Sequence, residues 1–521
     1  MFYISTAIDY TNGAPHIGHA YEKVLADVIA RYRRLSGDEV YYLTGVDQHG
    51  QKVQQTAEKE GVHPATFAQR NTKKFLKLWE KLDVNYDGWA ETMDERHKAC
   101  VQKILQKLHD EGLLYKKAYK GFYSVRQEQF LTDKERGEDG EFGPEWGEVT
   151  EIEEENWYFK LSDQVEWMRG FVESHKDFVI PNFRHGEVLN AIDRAADNDL
   201  CISRPKSRLR WGIELPFDEN YVTYVWFDAL INYISFAGYL AEEGSDLPEF
   251  EKLWPADIHV LGKDILVPSH SIYWPAMLHA MGFSDEQMPT LLVHGWWNIR
   301  GEKMSKSIGN VVDPDALADQ FGSETLRYYL VRDIVTGKDA NFDADRLVML
   351  YNTELANDLG NLCNRALNMS KRSLGGVMEH SDFDDEDCQA LRKSLSDATA
   401  AYQEAMNRYD TAVALQALNS HVSFCNGFAE RNKPWELAKD ETQSSRLSAV
   451  LYHMVESCAH ISVLLSPVTP AACTKIQSQL RLENLAEKKI NDLSWGLIPN
   501  GHQIGKPKPV FPRIQIESES E

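Results

Sequence analysis

Cysteine is scarce in this chain. Seven are spread over 521 residues, and none falls in a C-x-x-C pair. That argues against a disulfide framework or a thiolate zinc site and favours a reduced, cytoplasmic setting. Positive charge is also in deficit: 56 Lys and Arg against 80 Asp and Glu leave a formal net charge of −24. Attachment to nucleic acid by bulk charge is excluded, whereas a local basic surface for a polyanion is not. No run approaches the ~20 apolar residues that cross a bilayer. The opening MFYISTAIDYTNGAPHIGH has no basic leader, so neither a membrane span nor a targeting peptide is expected. What is present is ordinary globular material, 43% hydrophobic and 26% charged, enough for about three domains.

Residues 2–8, FYISTAI, are β-branched and aromatic and predict a buried strand. A turn signal, Thr11-Asn12-Gly13-Ala14-Pro15, leads into a helical spacing through Tyr21, Val24, Leu25, Val28, Ile29 and Tyr32, which ends at Gly37 and Asp38. A second strand, EVYYLTGVD, follows. This βαβ start predicts an α/β fold with a parallel sheet, whose ligands bind beyond the strand carboxyl ends. From Tyr119 the texture changes to short strand-like pieces, GFYSV and NWYFKL, flanking an acidic, Gly-containing stretch, which predicts an insertion. Strand-like runs return at YVTYVWFDAL, DIHVLGKDIL and TLLVHGWW. From about residue 346 the pattern is helical, with Leu447, Val450, Leu451, Met454, Cys458, Ile461 and Leu465 on one apolar stripe ended by Pro467.

Two motifs suit phosphate chemistry. Pro15-His16-Ile17-Gly18-His19 stands at the junction of the first strand and helix, where free N–H groups and the positive dipole end can meet an anion. His16 and His19 share one face of that turn, and Gly18 permits close approach of a base to the backbone. Standing alone, two histidines at a turn are more often solvated or capping. Gly301-Glu302-Lys303-Met304-Ser305-Lys306-Ser307 places two lysines three apart in a small polar loop, suited to a polyphosphate. Alone, it reads as an exposed basic loop.

Together, His-Ile-Gly-His and Lys-Met-Ser-Lys-Ser, in this order and these strand contexts, resemble the two signatures of class I aminoacyl-tRNA synthetases. The segments AIDYTNGAPHIGHAY, YLTGVDQHG, YVWFDALINY, GKDI, YWPAML, HGWWNIRGEKMSKSIGN, NDLGNLCNR and NKPWELAK are similar to the methionyl members of that class. The resemblance implies that ATP, L-methionine and magnesium give methionyl-adenylate and pyrophosphate, and that methionyl then passes to the 3′-terminal adenosine of tRNA(Met). It implies ATP binding by His16, Gly18, His19, Lys303 and Lys306, with His16, His19, Lys303 and Lys306 in catalysis. It places methionine among Ala7, Ile8, Tyr10, Asp47, Trp226, Ala229, Leu230, Tyr233, Ile265, His270 and Trp274, with Asp47 gripping the ammonium. The anticodon would be read by Asn361, Arg365 and Trp435, the Trp stacking on an unstacked base. The implied layout is a Rossmann-like catalytic domain in two halves, 1–118 and 223–286, split by a connective insertion at 119–222. A KMSKS-loop and stem-contact region at 287–345, an all-α helix-bundle anticodon domain at 346–498 and a tail at 499–521 complete it.

The chain departs from that family in three places. Where a zinc knuckle would carry its ligands stand Ser124, Gln127, Gly143 and Trp146, none a usual zinc ligand. No structural zinc is expected, and packing of Phe122, Tyr123, Phe130, Phe142 and Trp146 must hold the knuckle instead. In GKDILVPSHSIYWPAML one residue more than expected separates the isoleucine from His270, so Ile265 and Leu266 compete for the pocket wall. The sequence stops shortly after FPRI, without the C-terminal tRNA-binding domain of some members, so a monomer is expected. The alternatives are another small class I synthetase of cysteinyl or leucyl type, a catalytically silent RNA-binding relative, and a cofactor-making nucleotidyltransferase.

Overall fold

The computed structural model describes residues 1–124, 129–131, 136–137, 139–195, 198–299, 301–303 and 312–515. In chain order the elements used below are β1 (Phe2–Thr6), α1 (Ile17–Ser36), β2 (Val40–Asp47), β3 (Gly88–Glu91), α2 (Glu95–Asp110), β4 (Leu114–Ser124), β5 (Val149–Phe159), β6 (Val179–Ile180), α3 (Val225–Leu230), β7 (Ile258–Gly262), α4 (Trp274–Met281) and β8 (Thr290–His294). Six helices follow: α5 (Ser323–Arg332), α6 (Gly360–Ser373), α7 (Glu386–Asn407), α8 (Thr411–Asn432), α9 (Ser444–Leu464) and α10 (Pro470–Leu480). The chain forms two compact units, one of residues 1–14, 41–77 and 86–293, the other of residues 15–40, 78–85 and 294–521.

The first unit carries the parallel sheet that the βαβ start predicts. Its strand order is β3-β2-β1-β7-β8-β6, with the short strand Asp9–Tyr10 also paired on β2. β1 runs parallel to β7, β2 to β3 and β6 to β8. Both faces of such a sheet are covered, which is why β1 and β7 are buried along their whole length.

In the insertion the acidic stretch is partly strand. It continues into β5, eleven residues that pair antiparallel with β4 from Leu114 opposite Phe159 to Ser124 opposite Val149. Lysines of β4 offset the acidic side chains of β5: Lys116 lies 3.4 Å from Glu155 and Lys120 3.5 Å from Glu153.

The second unit contains α1 and the helical region. α1 ends at Gly37, whose φ of 103° is a left-handed cap that only glycine adopts without strain. Arg327 of α5 is fully buried and fixes α1 in this unit. Its Nη2 donates to Asp27 Oδ2 at 2.7 Å and its Nε to the Val468 carbonyl at 2.9 Å. α9 is more deeply set than a single stripe predicts, since every residue from Ala449 to Leu464 is buried. The expectation that no run is long and apolar enough to span a bilayer is therefore amended. Residues Glu441–Leu464 meet that test by length and composition, with 94% of the apolar window buried inside the chain. Core helices of globular proteins are hydrophobic all round for the same reason.

Candidate functional site

The two histidines at the start of α1 cap it reciprocally. Gly18 N–H donates to His16 Nδ1 and His16 N–H to His19 Nδ1, each at 3.1 Å, and the rings stack with centroids 3.7 Å apart. A Cβ on Gly18 would press within 3.0–3.1 Å of the His16 ring, so glycine keeps the cap in place. A neutral imidazole whose Nδ1 accepts carries its proton on Nε2. The cap thus fixes the tautomer of each ring, at a helix end favourable to anions.

One turn on, α1 meets the segment that leads into the lysine loop. Glu22 Oε2 lies 3.0 Å from His294 Nε2, and Lys23 Nζ lies 2.8 Å from Glu22 Oε1. Burial works to raise the Glu22 carboxyl, but Lys23 and His294 outweigh it and hold it low. Tyr21 packs edge-on against His294 and Trp297. The backbone at Lys303 pairs with Asn298 in a short antiparallel hairpin. Lys306 lies outside the described residues.

The amino-acid residues proposed from sequence all fall in the first unit. Asp47 ends β2 opposite Tyr10, and its carbonyl accepts from Thr11 N–H at 2.9 Å. Ala7 N–H donates to the Val260 carbonyl at 3.1 Å, which sets the end of β1 against β7. Ala7, Ile8, Trp226 and Ile265 are half-buried against the core. Tyr233, His270 and Trp274 are buried. His270 Nδ1–H donates to the Ile265 carbonyl at 2.8 Å, so its Nε2 accepts from Tyr233 Oη, also at 2.8 Å. Trp226 stands edge-on to His270, centroids 6.0 Å apart. Ala229 and Leu230 close α3.

Leu266–Tyr273, which carries His270, is a segment of widened helical turns interrupted at Val267. Leu266 is fully buried in the core, whereas Ile265 is only half-buried.

Sequence reasoning missed the residue that holds these aromatics. Trp274 Nε1–H donates to His259 Nε2 at 3.2 Å, so His259 Nδ1–H faces Ser5 Oγ, at 2.5 Å. Tyr233 stacks on the same ring at 4.1 Å. Burial, with His270 nearby, pushes His259 well below the ordinary histidine range and keeps it neutral. Its only sequence signal is its place in the strand DIHVLG, where it reads as one polar residue in a buried run.

In the helical region Asn361 is exposed, and Arg365 and Trp435 are half-exposed. The Arg365 guanidinium lies 5.1 Å over the Trp435 ring and donates to Glu430 Oε1 at 2.8 Å. Of the other cations there, Arg431 is tied to Asp387 at 3.1 Å.

At the knuckle Ser124 Oγ donates to the Trp146 carbonyl at 2.5 Å, and Gly143 and Trp146 offer no side-chain ligand. These residues do not fit a zinc ion, and Gln127 lies outside the described residues. The Arg136 guanidinium lies over both Phe122 and Phe142, 4.6 and 4.3 Å from their ring centroids, which are themselves 5.2 Å apart. Tyr123 packs edge-on to Phe130. Among the described residues, Asp384, Cys388 and His453 approach closely enough to share an ion. Arg392 already serves that group, donating to Asp384 Oδ1 and His453 Nε2, each at 2.8 Å.

Comparison with known proteins shows what the whole chain is similar to. The family described as "tRNA synthetases class I (M)" matches residues 2–139 and 146–367, and the "anticodon binding domain of methionyl tRNA ligase" matches residues 379–521. A methionine–tRNA ligase of Halalkalibacterium halodurans is 38% identical over 535 residues, covering 99% of this chain and 79% of that one. That of Thermotoga maritima is 38% identical over 519 residues, covering 99% and 81%. A crystal structure of Mycobacterium tuberculosis methionyl-tRNA synthetase bound by methionyl-adenylate superposes with a TM-score of 0.90 at 33% identity, covering 98% of this chain and 100% of that one.

Proposed function

The chain belongs to the methionyl-tRNA synthetase family, and on that premise we propose that its methionine–tRNA ligase activity runs through the residues gathered above. The family assignment sets aside the cysteinyl, leucyl and nucleotidyltransferase readings. In the first step a methionine carboxylate oxygen attacks the α-phosphorus of ATP, the bond to pyrophosphate breaks, and methionyl-adenylate forms. No general base is needed, because the carboxylate is already a nucleophile. Rate comes from positioning and from donors aimed at the charge that builds on phosphorus.

The observation that carries the assignment is the reciprocal His16–His19 cap. It supports two Nε2–H donors toward the phosphates, with Gly18 letting the nucleotide approach. Lys303 and Lys306 neutralise the departing pyrophosphate, and magnesium enters with ATP as part of the substrate. Asp47 grips the ammonium. Ala7, Ile8, Tyr10, Trp226, Ala229, Leu230, Tyr233, Ile265, His270 and Trp274 enclose the side chain, where sulfur–aromatic contacts contribute roughly 0.3–1.5 kcal/mol each. Full burial of Leu266 in the core favours Ile265 as the wall residue. In the second step methionyl passes to the 3′-terminal adenosine of tRNA(Met), whose anticodon meets Asn361, Arg365 and Trp435. We further assign no structural zinc, a monomeric state without membrane attachment, and a cytoplasmic location. For the domain layout we keep 1–118 and 223–286 as catalytic halves around the insertion at 119–222, with 287–345, 346–498 and 499–521 following.

ATP–pyrophosphate exchange across the amino acids tests the first step, and tRNA charging tests the second. Methionine is expected to be the preferred substrate in both, and exchange led by any other amino acid defeats the assignment. Lys306→Ala should cut adenylate formation by roughly a hundred- to a thousandfold. Metal analysis of purified protein should find no stoichiometric zinc.

A further inference from the structure

One carboxylate of the first unit has no part in the site as assigned so far. Asp228 is buried in α3 between Phe227 and Ala229. His49 Nδ1 stands 2.7 Å from its Oδ2, and His97 Nε2, from α2, stands 2.8 Å from its Oδ1. A carboxylate only accepts, so both rings present N–H to it. All three side chains are almost wholly excluded from solvent, with 0–3% of their surface accessible. Behind His97 the chain closes with Ser235 Oγ, 2.8 Å from Nδ1, and with the Phe236 ring stacked at 5.9 Å. Trp211 covers His49 edge-on at 5.3 Å and donates its Nε1–H to the Gln48 carbonyl at 2.6 Å. Burial alone would push the Asp228 carboxyl up. His49 and His97 outweigh that and hold it down to about 2, so it is ionised at neutral pH.

What this network joins gives it meaning. His49 lies two residues beyond Asp47, and its backbone N–H donates to Asp47 Oδ1 at 3.3 Å. Asp228 sits in the same short helix as Trp226, Ala229 and Leu230, and no side chain caps the start of that helix. The segments 47–49 and 225–230 are far apart in the chain. The Asp228–His49 bond is a direct polar tie between them. Resting on the assignment of Asp47 and Trp226 to the methionine site, we propose that Asp228 is a positioning residue. Through His49 and His97 it holds the carboxylate that grips the ammonium at a fixed distance from the wall that faces the thioether side chain. Misplacing a gripping group by about 1 Å can cost two orders of magnitude in rate. A role in fold stability alone would instead affect all substrates equally.

The test is ATP–pyrophosphate exchange by the full chain, with KM read separately for methionine and ATP and with thermal unfolding in parallel. Asp228→Asn and His49→Ala should each raise the methionine KM roughly tenfold or more while the ATP KM stays within about twofold. His49→Asn keeps an N–H near the Nδ1 position and should recover most of the loss. Parental methionine KM in folded variants would overturn the proposal. So would equal rises in both KM values, or His49→Asn no better than His49→Ala. If Asp228→Asn does not fold, the two His49 variants decide the matter. Failure of the parent chain to exchange with methionine would instead remove the assignment on which the proposal rests.

Discussion

In the proposed amino-acid pocket Tyr233, His270 and Trp274 are buried, and their polar atoms are partnered inside the chain by one another, by the Ile265 carbonyl and by His259. On the proposed anticodon face Asn361 is exposed, Trp435 and Arg365 are half-exposed, and the guanidinium is held by Glu430. The first region settles its geometry before a ligand arrives. That suits selection among small side chains, where a missing methylene is worth only about 1–3 kcal/mol and loose walls would forfeit it. The second must exchange internal partners for those of an RNA, which suits a splayed, adaptable ligand.

The comparison breaks most decisively at Asp47. If the pocket is preorganised around that carboxylate, Asp47→Asn leaves a substrate ammonium without its charged partner. Truncating one side of a buried charge pair costs about 2–5 kcal/mol. The expected outcome is a fall of roughly two to three orders of magnitude in kcat/KM for methionine in pyrophosphate exchange. A loss shared equally with ATP would show that the pocket is not the separate, finished structure described here.

Acid should attack the helical region through one buried histidine, as it should the pocket through His259. His421 lies with Nδ1 3.1 Å from Ser394 Oγ and Nε2 3.3 Å from Cys425 Sγ. Burial, and secondarily the charge of His460, lowers it from 6.5 to about 4. The unfolded chain takes up this proton first, near pH 6.5. Stability from this group is therefore whole above pH 6.5 and lost as pH falls towards 4, by about 3 kcal/mol in all. Denaturant titrations at pH 7 and 4.5 measure it, and His421→Gln should flatten part of the slope. An unchanged slope in that variant would place the acid-sensitive group elsewhere.

Next in size comes Trp435→Ala. Base–aromatic stacking contributes about 1–3 kcal/mol per base. The KM for tRNA in charging should rise roughly five- to a hundredfold, with no comparable loss in pyrophosphate exchange. A parallel loss in exchange would mean that Trp435 supports the fold and reads no base.

The same contrast explains how much could be read from sequence. The parallel sheet and α1 were legible because their causes are local: β-branched runs, a turn signal and an apolar spacing of three and four. The proposed methionine residues rest on motif resemblance alone, since Trp226 and Trp274 look like any core aromatic. His259 and the Asp228 network were not, because their partners lie far along the chain, as Ser5 does from His259 and His49 from Asp228. No spacing rule encodes such pairs. β5 is longer than the strand-like piece NWYFKL, because its acidic residues show little strand pattern until the lysines of β4 lie opposite them. α9 was taken as one-faced because burial on its other faces is decided by neighbouring helices.

The smallest expected effect tests the comparison most finely. Glu430 is largely exposed, 62% for its side chain, whereas Arg365 is 23% exposed. An exposed ion pair of this kind contributes little to stability, so Glu430→Gln should leave thermal unfolding nearly unchanged. It should nevertheless free the guanidinium above Trp435 and remove a negative charge from a surface that must meet phosphate. The KM for tRNA is then expected to fall by about two- to fivefold at low salt, and the gain to fade as salt rises. The opposite result, a higher KM, would mean that Glu430 holds Arg365 in its reading position over the indole. The anticodon face would then be prebuilt as the pocket is, and the distinction between the two regions would be one of burial alone.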